Sequence, residues 1–121
     1  MKRILVVEDN EVQASILMFA ITAQGYEPIA VESAEEAWTL LDKGETIDLI
    51  TLDNNLLGMN GLQFLAKLRD NEKYVNIPVI MITALRQEQH FNEAKALGIK
   101  DYLIKPIVLS EFTVLIDRYL K

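Results

Sequence analysis

The stretch Ile4-Leu5-Val6-Val7-Glu8-Asp9 sets an uninterrupted apolar run directly against two carboxylates. Such a run is too short for a buried helix and suits a strand covered on both faces, as in parallel sheets. The pattern recurs down the chain. Leu49-Ile50-Thr51-Leu52 runs into Asp53, Val79-Ile80-Met81-Ile82 into Thr83, and Tyr102-Leu103-Ile104 into Lys105. Pro28 to Val31 adds a fifth strand candidate. In a parallel sheet, strand ends of one sense gather along one edge, where α/β folds place their ligands. Three carboxylates, a hydroxyl and an ammonium are therefore expected at one place.

Between these runs lie five helical patterns. Val12, Ile16, Phe19, Ala20 and Ala23 recur at three and four residues, predicting one buried stripe that ends at Gly25. Ser33 and Glu36 have the spacing of a capping box, in which each side chain satisfies a free backbone donor at the helix start. That helix turns Ala34, Ala37, Trp38 and Leu41 inward and stops at Gly44. Leu62, Leu65 and Leu68 mark the third helix; Phe91, Ala94 and Leu97 mark the fourth, closed by Gly98. Ser110 is expected to open the last, with Phe112, Leu115, Ile116 and Tyr119 on one face. Strict β-α alternation predicts a doubly wound parallel sheet with right-handed crossovers.

A chain of 121 residues, 50% hydrophobic and 25% charged, is long enough for one sizeable core and ordinary for a soluble globular protein. The uncharged stretch from Val12 to Tyr26 is broken by Gln13, Ser15, Thr22, Gln24 and Gly25, so it reads as an amphipathic helix and no membrane span is expected. No basic, apolar, small-residue leader is seen, so no secretion signal is expected. The absence of cysteine excludes a disulfide scaffold or thiolate metal site and fits a cytoplasmic protein. A net charge of −6 without a Lys/Arg cluster argues against direct nucleic-acid binding.

Glu8, Asp9 and Asp53 cannot all stay ionised close together without a cation among them. Oxygen donors without His or Cys suit a hard divalent cation, Mg²⁺ before Zn²⁺. Thr83 and Lys105 would then offer a hydroxyl and a point charge to an anion beside the metal. Carboxylate, metal, hydroxyl and lysine form a phosphoryl-transfer constellation, and the attacking group could itself be a carboxylate. Taken singly, each signal has a plainer reading. An acidic pair after a strand is usually a charge favoured by a helix N-terminus, and Lys105-Pro106 alone is a turn. Their joint appearance at four strand ends points to a site.

These residues resemble the receiver domain of two-component response regulators, and the resemblance covers residues 1–121 as one domain. Val6-Val7-Glu8-Asp9-Asn10 resembles the family's acidic pocket. Leu52-Asp53, followed by Gly58-Met59-Asn60-Gly61, resembles the phosphoacceptor strand and its loop. Met81-Ile82-Thr83-Ala84 resembles the switch hydroxyl and its small neighbour, and Ala96 to Pro106 resembles the segment ending in the family's Lys-Pro pair.

The resemblance implies a flavodoxin-like (βα)5 fold with strand order 2-1-3-4-5. It implies that Asp53 is the phosphoacceptor, and that Glu8, Asp9, Asp53 and the backbone carbonyl of Asn55 hold Mg²⁺. Thr83, Lys105 and the backbone N–H groups of Asn54 and Ala84 would contact the phosphoryl oxygens, with Lys105-Pro106 cis. Tyr102 would report the position of Thr83. The implied partners are a histidine kinase or histidine phosphotransfer protein, and a downstream protein or second copy docking on helix 4, strand 5 and helix 5. The implied activity is self-catalysed phosphoryl transfer and slow autodephosphorylation rather than that of a classical enzyme.

Two positions depart from the family pattern: Leu57 stands where proline is usual, and Glu8 where aspartate is commoner. The longer Glu8 arm is expected to reach a metal through water. Asn55 and Leu85 occupy positions that tune phosphoryl lifetime in the family. His90 is expected to be a solvated surface residue and Trp38 a packing residue. Three other functions fit these residues less well. A receiver-like module working without phosphorylation would have no need of the intact Glu8, Asp9, Asp53, Thr83 and Lys105. A carboxylate-nucleophile phosphohydrolase expects a second acid where Asn55 stands. A dinucleotide or flavin carrier needs a Gly-rich or hydroxyl-rich first loop, whereas Glu8-Asp9-Asn10-Glu11 would repel a phosphate without a metal.

Overall fold

The computed structural model describes residues 1–54, 56–84 and 88–121, apart from the side chains of Glu88 and Gln89. Among these residues, β1 (Arg3–Val7), β2 (Glu27–Val31), β3 (Leu49–Leu52), β4 (Val79–Thr83) and β5 (Asp101–Ile104) form one parallel sheet in the order β2-β1-β3-β4-β5. They alternate with α1 (Glu11–Ala23), α2 (Ala34–Asp42), α3 (Gly61–Arg69), α4 (Glu88–Ala96) and α5 (Leu109–Leu120). The expected fold class and strand order are both observed. No described helix is long and apolar enough to cross a membrane.

Each central strand is buried on both faces, which is why its sequence is almost wholly apolar, Thr51 and Thr83 excepted. Leu5, Val7, Ile50, Leu52, Val79 and Met81 pack with Ala34, Ala37 and Leu41 of α2 and Phe64, Leu65 and Leu68 of α3. The alternating residues Ile4, Val6, Leu49, Ile80 and Ile82 meet Leu17, Ala20 and Ile21 of α1 and Phe112, Leu115 and Ile116 of α5. A fully buried side chain of this kind contributes roughly 1.5–3 kcal/mol. Trp38 packs at the margin of the first layer, edge-on to Phe64 and Tyr74.

Register carries the strand ends to one level. Val7 pairs with Leu52, and Thr83 pairs with Ile104. Backbone bonding then continues one residue further. Glu8 N donates to Val31 O and Asp53 N to Val7 O, both at 3.1 Å, and Lys105 N donates to Thr83 O at 2.9 Å. The polar residues after the strands are thus held by the sheet itself.

The stripe expected to be buried on α1 is largely exposed. Val12, Ile16 and Phe19 are 67%, 41% and 76% exposed, and Ala23 also faces solvent. Ala14, Leu17 and Ile21 join Ala20 against the sheet instead. The helical period was right and its phase wrong, because apolar residues occur on both sides of this helix. The capping box of α2 is half formed. Glu36 N donates to Ser33 Oγ at 3.0 Å, while the Glu36 carboxylate turns to Glu32 N. A complete box occurs on α3, between Asn60 and Gln63. Ser110 does not open α5: the helix begins at Leu109, and Val108 O accepts from Glu111 N and Phe112 N. At the opposite end of the sheet, Arg69 ties α3 to the turn after α4 by donating to Leu97 O at 2.8 Å and Gly98 O at 3.2 Å.

Candidate functional site

Glu8 is 3% exposed, Asp53 4% and Thr83 0%, so three polar residues lie buried at the carboxyl edge of the sheet. Asp9 is exposed beside them. Oxygen atoms of Glu8, Asp9 and Asp53 all lie within 4.8 Å of one another. Lys105 enters from the end of β5. Its Nζ donates to Glu8 Oε1 at 2.7 Å and to Asp53 Oδ2 at 3.2 Å. The other Glu8 oxygen accepts from Asn10 N at 3.1 Å, and Asn10 caps α1 by accepting from Gln13 N. The Lys105-Pro106 bond is cis, as expected.

The electrostatics follow from this crowding. Burial pushes the Glu8 carboxyl up to about 7; hydrogen bonds from Lys105 and Asn10 oppose the shift, and the charge of Asp53 adds to it. Burial alone would lower Lys105, but its bond to Glu8 and the charges of Asp53 and Glu8 outweigh that and hold it above the ordinary lysine value. Closely placed carboxylates with oxygen donors alone fit a hard divalent cation, whose charge would relieve their mutual repulsion.

The backbone after Asp53 is tightly packed. Asn54 is 6% exposed, and its Oδ1 accepts from Leu62 N at 3.0 Å. A Cβ on Gly61 would stand 2.6 Å from Asp53 O and from Asn54 Cα, so only glycine lets the start of α3 close against the strand end. Ala84 is exposed just after Thr83. The expected contributions of Asn55 and Leu85 lie outside the described residues.

His90 differs from expectation. It is half-buried on α4, with Nδ1 3.5 Å from Asn54 Nδ2. The sequence held a signal for this: His90 stands four residues before the buried Ala94, on the same helical face. Tyr102 is half-buried on β5, its ring edge-on to Phe91 at 5.2 Å. Burial also holds its hydroxyl above the ordinary tyrosine value.

Exposed apolar side chains lie near the acidic edge. Val12 stands in the first turn of α1, and Ile16 and Phe19 continue its exposed face. Across the edge, Val108 and Leu109, just beyond Lys105-Pro106, are 53% and 39% exposed.

Comparison with known proteins places this arrangement. The family model described as response regulator receiver domain matches residues 4–117. The chain is 34% identical over 119 residues to the polar-differentiation response regulator DivK of Brucella ovis, covering 98% of this chain and 96% of DivK. It is 32% identical over 105 residues to a chemotaxis protein CheY homolog of Campylobacter jejuni, covering 86% and 81%. Among solved structures, Vibrio cholerae chemotaxis protein CheY4 superposes with a TM-score of 0.90 at 26% identity, over 99% of both chains. The receiver domain of a signal transduction histidine kinase from Syntrophus aciditrophicus gives 0.91 at 28% identity, over 99% of this chain and 90% of its own. With its sheet order and its edge of buried carboxylates, the chain belongs to the response-regulator receiver domain family.

Proposed function

We propose that residues 1–121 act as one cytoplasmic receiver domain that accepts a phosphoryl group on Asp53 from a histidine kinase or histidine phosphotransfer protein. The observation carrying this reading is the placement of Asp53. It lies buried at the end of a central strand, its backbone fixed by Val7 and its carboxylate 3.2 Å from the Lys105 ammonium. In the reaction, an Asp53 oxygen forms a bond to phosphorus while the phosphohistidine N–P bond breaks, and the imidazole leaves with the electron pair and takes up a proton. Lys105, Thr83 and the N–H groups of Asn54 and Ala84 receive the phosphoryl oxygens.

Glu8, Asp9, Asp53 and the Asn55 carbonyl would hold Mg²⁺, which would supply charge neutralisation for the transfer. Glu8 has one oxygen on Lys105 and the other on Asn10 N, which supports its reaching the metal through water. The exposed apolar side chains of α1 beside the site suit a protein phosphodonor, since a small molecule has no use for them. The modified state acts by changing the surface of α4, β5 and α5, where a downstream partner or second copy docks. Such a domain signals; its own chemistry is limited to self-phosphorylation from the donor and slow autodephosphorylation.

Intact-mass measurement after incubation with acetyl phosphate and Mg²⁺ tests the acceptor. The wild type should gain one phosphoryl mass and Asp53→Asn should not. Equal gain by the variant would overturn the assignment.

A further inference from the structure

The stretch Leu57-Gly58-Met59-Asn60 links the acceptor strand to α3, and it has leucine where the family usually has a stiffening proline. Leu57 is 86% exposed and packs little of its surface. Leu56 before it is buried in the core and Asn60 is held by Gln63, while Met59 between them is held from another element. Glu35, in the first turn of α2, reaches across and accepts from Met59 N with Oε2 at 3.0 Å. The bond joins residues 24 apart in the chain.

Two further observations tie Glu35 to the loop. Gly58 adopts φ +74, and a Cβ there would stand 2.7 Å from Glu35 Oε2. The left-handed turn favours glycine, and a side chain there would have to displace the Glu35 carboxylate from its place. The Met59 N–H, followed by Glu35's own N–H, also holds the Glu35 carboxyl below its ordinary range, so the acceptor is ionised and the bond charge-assisted. Ser33 Oγ caps α2 by accepting from Glu36 N, and the Glu35 carboxylate, besides meeting its own N–H, is left to reach the loop.

We propose that Glu35 is a positioning residue for phosphorylation: its carboxylate pins the loop after Asp53 and so fixes the backbone that must meet the metal and the phosphoryl group. This rests on Asp53 being the acceptor. The chain of contacts is short. Glu8 N bonds Val31 O at the end of β2, α2 follows at Ala34, Glu35 holds Met59, and the loop returns to Asn54 and Asp53. The α2 start thereby braces the metal side and the acceptor side of the site together.

The test compares wild type, Glu35→Ala and Glu35→Gln, the last keeping an acceptor oxygen. Three readouts are taken: exchange of the Met59 amide, the Mg²⁺ dissociation constant from NMR titration, and the rate of mass gain with acetyl phosphate. Glu35→Ala should speed exchange, weaken Mg²⁺ binding and slow phosphorylation, each by about three- to tenfold, the loss of one charge-assisted bond. Glu35→Gln should recover at least half of each change on a logarithmic scale. Wild-type Mg²⁺ affinity and phosphorylation rate in Glu35→Ala would overturn the proposal, as would a Glu35→Gln no better than alanine. Failure of the wild type itself to gain phosphoryl mass would instead remove the acceptor assignment, which keeps the two failures distinct.

Discussion

The Lys105 ammonium lies 2.7 Å from Glu8 Oε1 and 3.2 Å from Asp53 Oδ2, so its shorter bond goes to the acidic pocket rather than to the strand-end aspartate between them. Glu8 can do this because its arm is one methylene longer than the commoner aspartate's. Lys105 thus supplies counter-charge to two carboxylates at once, and a metal ion entering the site must compete with it for Glu8.

That competition ranks the acids. Asp9 is exposed, whereas Glu8 is buried with both oxygens hydrogen-bonded. Asp9→Asn is expected to weaken Mg²⁺ binding about tenfold or more, and Glu8→Gln by less, because Asp9 offers the shorter and more direct arm. NMR titration with Mg²⁺ measures both; equal losses would contradict the ranking.

The raised Glu8 value gives a pH dependence with a definite sign. In the unfolded chain Glu8 titrates near its ordinary 4.5, and in the metal-free folded protein near 7. Between those values the folded state binds the proton more tightly. Its contribution to stability is therefore complete below the lower value and lost as pH rises through the upper one. With chelator present, the melting temperature should fall from about pH 5 to about pH 8, and Glu8→Gln should flatten the fall. A slope unchanged in the variant would assign the effect elsewhere.

The α1 surface should separate protein donors from small ones. Phe19 is 76% exposed on the face shared with Val12 and Ile16, away from the acceptor chemistry. Phe19→Glu should slow phosphoryl transfer from a phosphohistidine protein by about tenfold or more, as a charge set into an apolar contact does. The rate with acetyl phosphate should stay at the wild-type value. Equal slowing with both donors would show damage to the site instead.

How far the sequence could be read follows from what each pattern encodes. The end of β3 was legible because a doubly buried strand needs a mainly apolar run, which tolerates Thr51 but is stopped by the charge of Asp53. The phase of α1 was not, because Leu17 and Phe19 are equally apolar and only the packed sheet selects between them. Contacts between distant elements left the weakest trace. Glu35 reads as one more acid at a helix start, and nothing local shows that its carboxylate reaches Met59. His90 lay between these cases, since its spacing from Ala94 announced the inward face but not the neighbour it finds there.

The last prediction concerns output. Thr83 is wholly buried at the end of β4, and its carbonyl accepts from Lys105 N at 2.9 Å, so the hydroxyl-bearing residue and the lysine share one backbone link. A phosphoryl group on Asp53 adds charge and acceptor oxygens that the Thr83 hydroxyl and the Lys105 ammonium both answer. If Thr83 moves toward them it vacates space, and Tyr102, now half-buried with its edge on Phe91, is the neighbouring ring able to turn inward. Phe91 is 39% exposed on α4, so that rotation alters the face made by α4, β5 and α5. Phosphorylation should then shift an existing equilibrium rather than build a new surface. Hydrogen exchange with and without beryllofluoride should change in α4, β5 and α5 of the wild type. In Lys105→Ala those changes should shrink more than Mg²⁺ binding does. Changes confined to α1 and α2, or a full wild-type response in Lys105→Ala, would sink the coupling.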